Sequence, residues 1–157
     1  MKLEEIGQTV AMDIIDGKLW IGSFVSEQTP KEHLLVIDPK TWKKTYIKLN
    51  NGVNEGGIFQ TVKFFADEKF IYVVDAGNLV TVLDRKTWNI SKIVSLSQDI
   101  KEAATYEGKA YILSQENNGT DAMIGVYSLP NWNLETTWSI RSPRETLPQN
   151  LLINPDH

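Results

Sequence analysis

A protein that cuts, transfers or protonates needs a base, a nucleophile or a metal site, and the residues that serve those ends are few in this chain. There are two histidines: His33 stands alone at the start of an apolar run, and His157 is the last residue. No cysteine is present, which removes thiolate nucleophiles, Cys-type zinc sites and disulfides together. With no G-x-S-x-G either and no second internal histidine, no nucleophile, base and acid set is evident, and the sequence argues against triad hydrolysis. Glu116-Asn117-Asn118-Gly119-Thr120-Asp121 gathers several oxygen ligands but lacks the alternating acids and distant Glu of an EF-hand loop, so it reads as an Asn-Gly turn. Asn50 to Gly57 is rich in Asn and Gly without the GxGxxG or Walker spacing that cradles phosphate. The sequence asks for no cofactor and no metal.

What remains is polar chemistry suited to binding. Gln28, His33, Glu55, Gln60, Asp75, Gln115, Glu116 and Arg144 carry amide, carboxylate, imidazole or guanidinium groups that can hydrogen-bond a protein or glycan surface. Trp42, Trp88 and Trp132 offer a second kind of contact, since an exposed indole suits the apolar face of a sugar whereas a buried one packs between layers. Their recurrence at one position of a repeat favours packing, and they are expected to be structural corners.

The remaining bounds come from composition. At 157 residues, 41% hydrophobic and 23% charged, the chain is the size of one domain with enough apolar side chains for a core. A net charge of −4 with no basic run gives nucleic acid no electrostatic footprint. No window holds the eighteen or so apolar residues of a membrane span, and the first residues lack a continuous apolar signal segment, so a soluble chain is expected, its compartment open.

The elements that must position these residues are legible as a repeat. Val36-Ile37-Asp38-Pro39-Lys40-Thr41-Trp42, Val82-Leu83-Asp84-Arg85-Lys86-Thr87-Trp88 and Val126-Tyr127-Ser128-Leu129-Pro130-Asn131-Trp132 end on tryptophans 88 − 42 = 46 and 132 − 88 = 44 residues apart. Upstream of each lies a turn, Asp16-Gly17-Lys18, Asp67-Glu68-Lys69 or Glu107-Gly108-Lys109, that feeds a β-rich run. With one extended segment before each turn and one after each tryptophan, the unit is four short strands, A to D. Four antiparallel strands at this period make the blade of a β-propeller.

Tyr72-Val73-Val74-Asp75, followed by Asn78 to Asp84 and Thr87-Trp88, resembles the repeat of YVTN-type propellers in the quinoprotein-like and NHL-like group. The resemblance extends to Leu35 to Thr41 and weakens in the third unit, where Ser128 replaces the turn Asp and Pro130 shifts the turn. It implies blades and carries no catalytic residue with it.

The expected fold is all-β: a partial propeller with blades at about 7–49, 59–96 and 100–140, and the first strand of a fourth at about 149–157, where Gln149 to Asp156 repeats the layout of Gln60 to Asp67. Propellers close with typically four to eight blades. Three blades and a strand therefore expect completion, by further chain, a partner chain or self-association into a six-bladed ring. The longer B–C and D–A loops share one face, where the polar candidates above are concentrated.

Two functions fit this reading. The first is a non-catalytic binding or assembly module presenting the loop face to a protein or glycan. The alternative is part of a quinoprotein-like or lactonase-like enzyme with a metal or cofactor near the axis, held by inner acids, chiefly Asp13, Asp75 and Asp99.

Overall fold

In the computed structural model the described residues, 8–25, 34–49, 59–115 and 121–141, form twelve β-strands and no helix. Blade 1 comprises β1 (Gln8–Ile15), β2 (Lys18–Val25), β3 (Leu34–Ile37) and β4 (Lys44–Ile47). Blade 2 comprises β5 (Phe59–Ala66), β6 (Phe70–Asp75), β7 (Leu79–Asp84) and β8 (Ile90–Ser95), and blade 3 comprises β9 (Ile100–Tyr106), β10 (Lys109–Gln115), β11 (Asp121–Ser128) and β12 (Asn133–Arg141). Each blade is a four-stranded antiparallel sheet paired in sequence order. The stretch expected to open a fourth blade, 149–157, lies outside the described residues.

Local chemistry explains the turns. The A–B turns of blades 1 and 3 place Asp16 and Gly17, then Glu107 and Gly108, at φ between +49° and +72°, the two-residue geometry that matches the twist of a hairpin. In blade 2 Asp67 closes the turn itself, its Oδ1 accepting the amides of Lys69 and Phe70 at 2.8 Å each.

The C–D turns share one design. Asp38 Oδ1 accepts the amides of Lys40 and Thr41, and Asp84 Oδ1 accepts those of Lys86 and Thr87. The amides of Trp42, Trp88 and Trp132 then close the loop on the carbonyls of Asp38, Asp84 and Ser128. Blade 3 keeps that span although Ser128 replaces the acid and Leu129-Pro130 is a cis bond, so the turn is not shifted as Pro130 suggested. The span survives because its closing bond uses only backbone groups.

All three corner tryptophans stand in the left-handed region, at φ +57°, +60° and +66°. Bulky residues avoid that region, at a cost on the order of 1 kcal/mol. Packing supplies the compensation in blades 2 and 3. Trp88 meets Trp20 of β2 edge-on, with centroids 5.3 Å apart, and Trp132 meets Tyr72 of β6 at 5.7 Å in the same manner. Each corner thus lies on the second strand of the blade before it.

Two cores result. Trp20, Leu34 and Val36 of blade 1 pack against Phe64, Ile71, Val73 and Leu83 of blade 2. Phe65, Tyr72, Val74 and Val82 on the other face of blade 2 pack against Ala103, Ala110, Ile112, Tyr127 and Trp132 of blade 3. Being covered on both sides, β6 and β7 are buried almost throughout and read as continuous apolar runs rather than alternating ones.

Blades 1 and 2 are also joined by backbone. β2 runs past the end of β3, and its residues 24 and 25 pair with 60 and 59 of β5, making one continuous sheet. Gly22 permits this approach, because a Cβ at that position would lie 2.4 Å from the Cβ of Thr61. The blocking atom is attached directly to the backbone, so no rotamer relieves the clash. Gly22→Ala is expected to lower unfolding stability by about 1–3 kcal/mol, read from the midpoint of a urea titration. An unchanged midpoint would show that the joint has slack.

Candidate functional site

The three A strands, β1, β5 and β9, lie side by side, and their ends nearest the A–B turns enclose an open cavity of about 340 Å³. Its polar lining is mixed in sign: Asp13 and Asp16 from blade 1, Lys63 and Arg85 from blade 2 and Thr105 from blade 3, set among Ile15, Phe64, Phe65 and three alanines.

Arg85 organises one wall. From the C–D turn of blade 2 it donates Nε to Asp16 Oδ2 at 3.0 Å and Nη2 to Asp16 Oδ1 at 2.6 Å, while Nη1 bonds the carbonyl of Asp67. One guanidinium therefore ties together the A–B turns of two blades and its own C–D turn. The bond from Arg85 holds the Asp16 carboxyl below the usual range, and Asp16 in turn raises Arg85. Both groups are partly open to solvent, so the pair adds about 1 kcal/mol or less and acts chiefly to set geometry.

Asp13 Oδ1 accepts the amide of Ile14 at 2.7 Å, and neither Asp13 nor Lys63 forms an ion pair among the described residues. The cavity thus offers a carboxylate and an ammonium to solvent. Among the described residues no three His, Asp or Glu side chains gather to hold a metal.

The opposite, loop-face end is organised differently. Asp75, buried at the end of β6, accepts the amide of Gln60 at 3.1 Å and that of Gly77 at 2.5 Å. Burial raises its pKa, the two amides oppose that, and Asp99 raises it further. Ser23 and Ser114 occupy the same end of β2 and β10 and are buried too, and Ser114 donates to Gln98 at 2.7 Å. These polar positions anchor the connections between strands and blades. Gln60 and Asp75 are therefore brought together, through the Gln60 backbone, while Gln115 ends β10 opposite Ala122. Gln28, His33, Glu55, Glu116 and Arg144 lie outside the described residues.

The corner tryptophans differ among themselves. Trp132 is buried at 6% exposure and Trp88 is half-buried, whereas Trp42 is 67% exposed. Lys63, Arg85 and Thr105 in the cavity were not singled out by the sequence. A signal for Arg85 exists, because the residue after the turn acid or serine is Pro39, Arg85 and Leu129 in turn, and only the middle one is charged.

No protein-family model matches the chain, and no curated protein matches it. Solved structures do. The "AfRom2 CNH domain" aligns with a TM-score of 0.55 at 10% identity, over 85% of this chain and 41% of its own length. "KlHsv2 with loop 6CD replaced by a Gly-Ser linker" aligns with a TM-score of 0.50 at 18% identity, over 83% and 38%. Both are β-propeller proteins, and at these identities they show the fold alone. The chain spans about two fifths of the length of each.

The acids at the two ends respond oppositely to pH. Asp84 is held below its ordinary value by the Thr87 and Lys86 bonds, so its stabilisation is present at neutral pH and lost as pH falls through the carboxylate range. Asp75 is raised, so the folded chain takes up its proton before the unfolded chain does, and acidification towards that range favours folding. Between pH 7 and pH 3 Asp84→Asn should lose less stability than the natural chain. Between pH 7 and pH 4 Asp75→Asn should lose more. Denaturant midpoints at those pH values check both signs.

Proposed function

We propose that this chain is a non-catalytic β-propeller binding or assembly module, whole only in association, that turns its B–C and D–A loops towards a protein or glycan. The reading keeps the YVTN-type repeat of Tyr72 to Trp88 as its family. One observation carries it. Strand register makes Met12, Phe64 and Ala103 equivalent, opposite Ile21, Val73 and Ile112. Phe64 and Ala103 are 1% exposed in the cores between blades, whereas Met12 is 66% exposed although Ile21 opposite it is buried. An apolar side chain left open at a position that burial defines elsewhere in the repeat marks a surface meant for covering.

The enzyme reading needs acids that converge. Asp13 stands near the short-turn end of β1, and Asp75 ends β6 at the opposite face. Asp99 lies near enough to Asp75 to raise its pKa, but Asp13 stands at the opposite end, so the three inner acids do not gather at one level of the axis.

At micromolar concentration the purified chain should scatter light as a particle larger than its own 17.8 kDa. A monodisperse monomer that unfolds cooperatively would contradict the assembly reading. Elemental analysis checks the other side: one equivalent of metal retained through purification would move the assignment to the enzyme class.

A further inference from the structure

We propose that the cavity at the short-turn end of the three A strands is a second binding site, whose ligand is a small zwitterion of amino-acid or dipeptide size. The ligand's ammonium meets Asp13, its carboxylate meets Lys63, and Thr105 takes a further hydrogen bond. This site is independent of any ligand on the loop face.

Each blade brings one unspent polar side chain to the concavity, Asp13 from β1, Lys63 from β5 and Thr105 from β9. Asp13 Oδ1 accepts only the amide of the next residue, and the side chains of Lys63 and Thr105 have no hydrogen-bond or ion-pair partner among the described residues. Asp13 and Lys63 do not pair with each other either, so the gap between them is one that a ligand can bridge. Packing does not account for the acid. Register puts Asp13, Phe65 and Ala104 at one position, opposite Trp20, Tyr72 and Tyr111, and only in blade 1 is that position charged.

The charge balance of the lining selects the ligand. Asp16 and Arg85 satisfy one another through bonds of 3.0 and 2.6 Å and form a neutral wall, which leaves one free charge of each sign. A phosphate or other polyanion would face two carboxylates, and a polyamine would face an ammonium and a guanidinium. A molecule with one charge of each sign pairs with both free groups and is repelled by neither. At about 340 Å³ the cavity is at the small end of ligand sites, in keeping with a ligand of one or two residues. All three groups stand on strands, and the buried Phe64 and Phe65 fix β5 between its neighbours, so the charges are set in place before binding.

The test is an amide-resolved NMR titration of the 157-residue chain with glycine and with glycylglycine, which span two charge separations. The tighter of the two should saturate at millimolar concentration and shift the amides around Asp13, Lys63 and Thr105. Its N-acetyl form lacks the ammonium and its C-terminal amide lacks the carboxylate. Each blocked form should bind at least about threefold more weakly, as befits the loss of one partly exposed ion pair. Asp13→Asn should no longer distinguish the zwitterion from its N-acetyl form, and Lys63→Gln should no longer distinguish it from its amide. Asn keeps the acceptor for the Ile14 amide and Lys63 has no partner to lose, so both variants should keep the unfolding midpoint of the natural chain. If neither zwitterion shifts an amide at the cavity, the proposal falls. If only one blocked form is weakened, or the variants keep the natural discrimination, the two-charge assignment is wrong.

Discussion

The structure depends on one contact, an indole held at positive φ in a four-residue turn and laid edge-on against the preceding blade. The turn provides the placement, because a backbone bond spanning four residues aims the side chain back over the neighbouring sheet. The neighbour provides the return, in buried aromatic area and ring geometry worth more than the local strain. In blade 1 the same turn leaves Trp42 67% exposed. The blade is therefore a unit with a built-in direction, each one reaching backwards.

Around that contact the two faces of the arc do different work. On the short-turn face charged groups tie turns to one another, and Arg85 links the ends of three segments with one side chain. On the loop face buried polar residues at the ends of the second strands hold the connections between strands and blades. The first set is exposed and sets geometry at little energy. The second is buried, so its hydrogen bonds are costly to lose.

Sequence alone made the blades legible because they follow from period-two runs, Gly-containing turns and three tryptophans at nearly equal spacing. The hairpin from Phe70 to Asp84 is the clearest case, since burial on both faces leaves it almost wholly apolar. Two features escaped that reading for physical reasons. The pairing of residues 24 and 25 with β5 is a backbone event whose only mark in the sequence is Gly22, and a lone glycine in a strand has several meanings. The cavity beneath the A strands draws its polar residues from three blades, and no local spacing announces a juxtaposition made by tertiary packing. The polar candidates were sought on the long loops, whereas this concavity opens at the end where the turns are shortest.

The central claim of the proposed assembly is that the inner strand of blade 1, where Met12 is open while the equivalent Phe64 and Ala103 are buried, is covered on association. Hydrogen–deuterium exchange followed strand by strand over a range of chain concentrations tests it most directly. The account predicts that amides in β5, β6 and β7 are protected at every concentration, while protection of β1 is weak in dilute solution and rises as the chain associates. Equal and concentration-independent protection of β1 and β5 would contradict it.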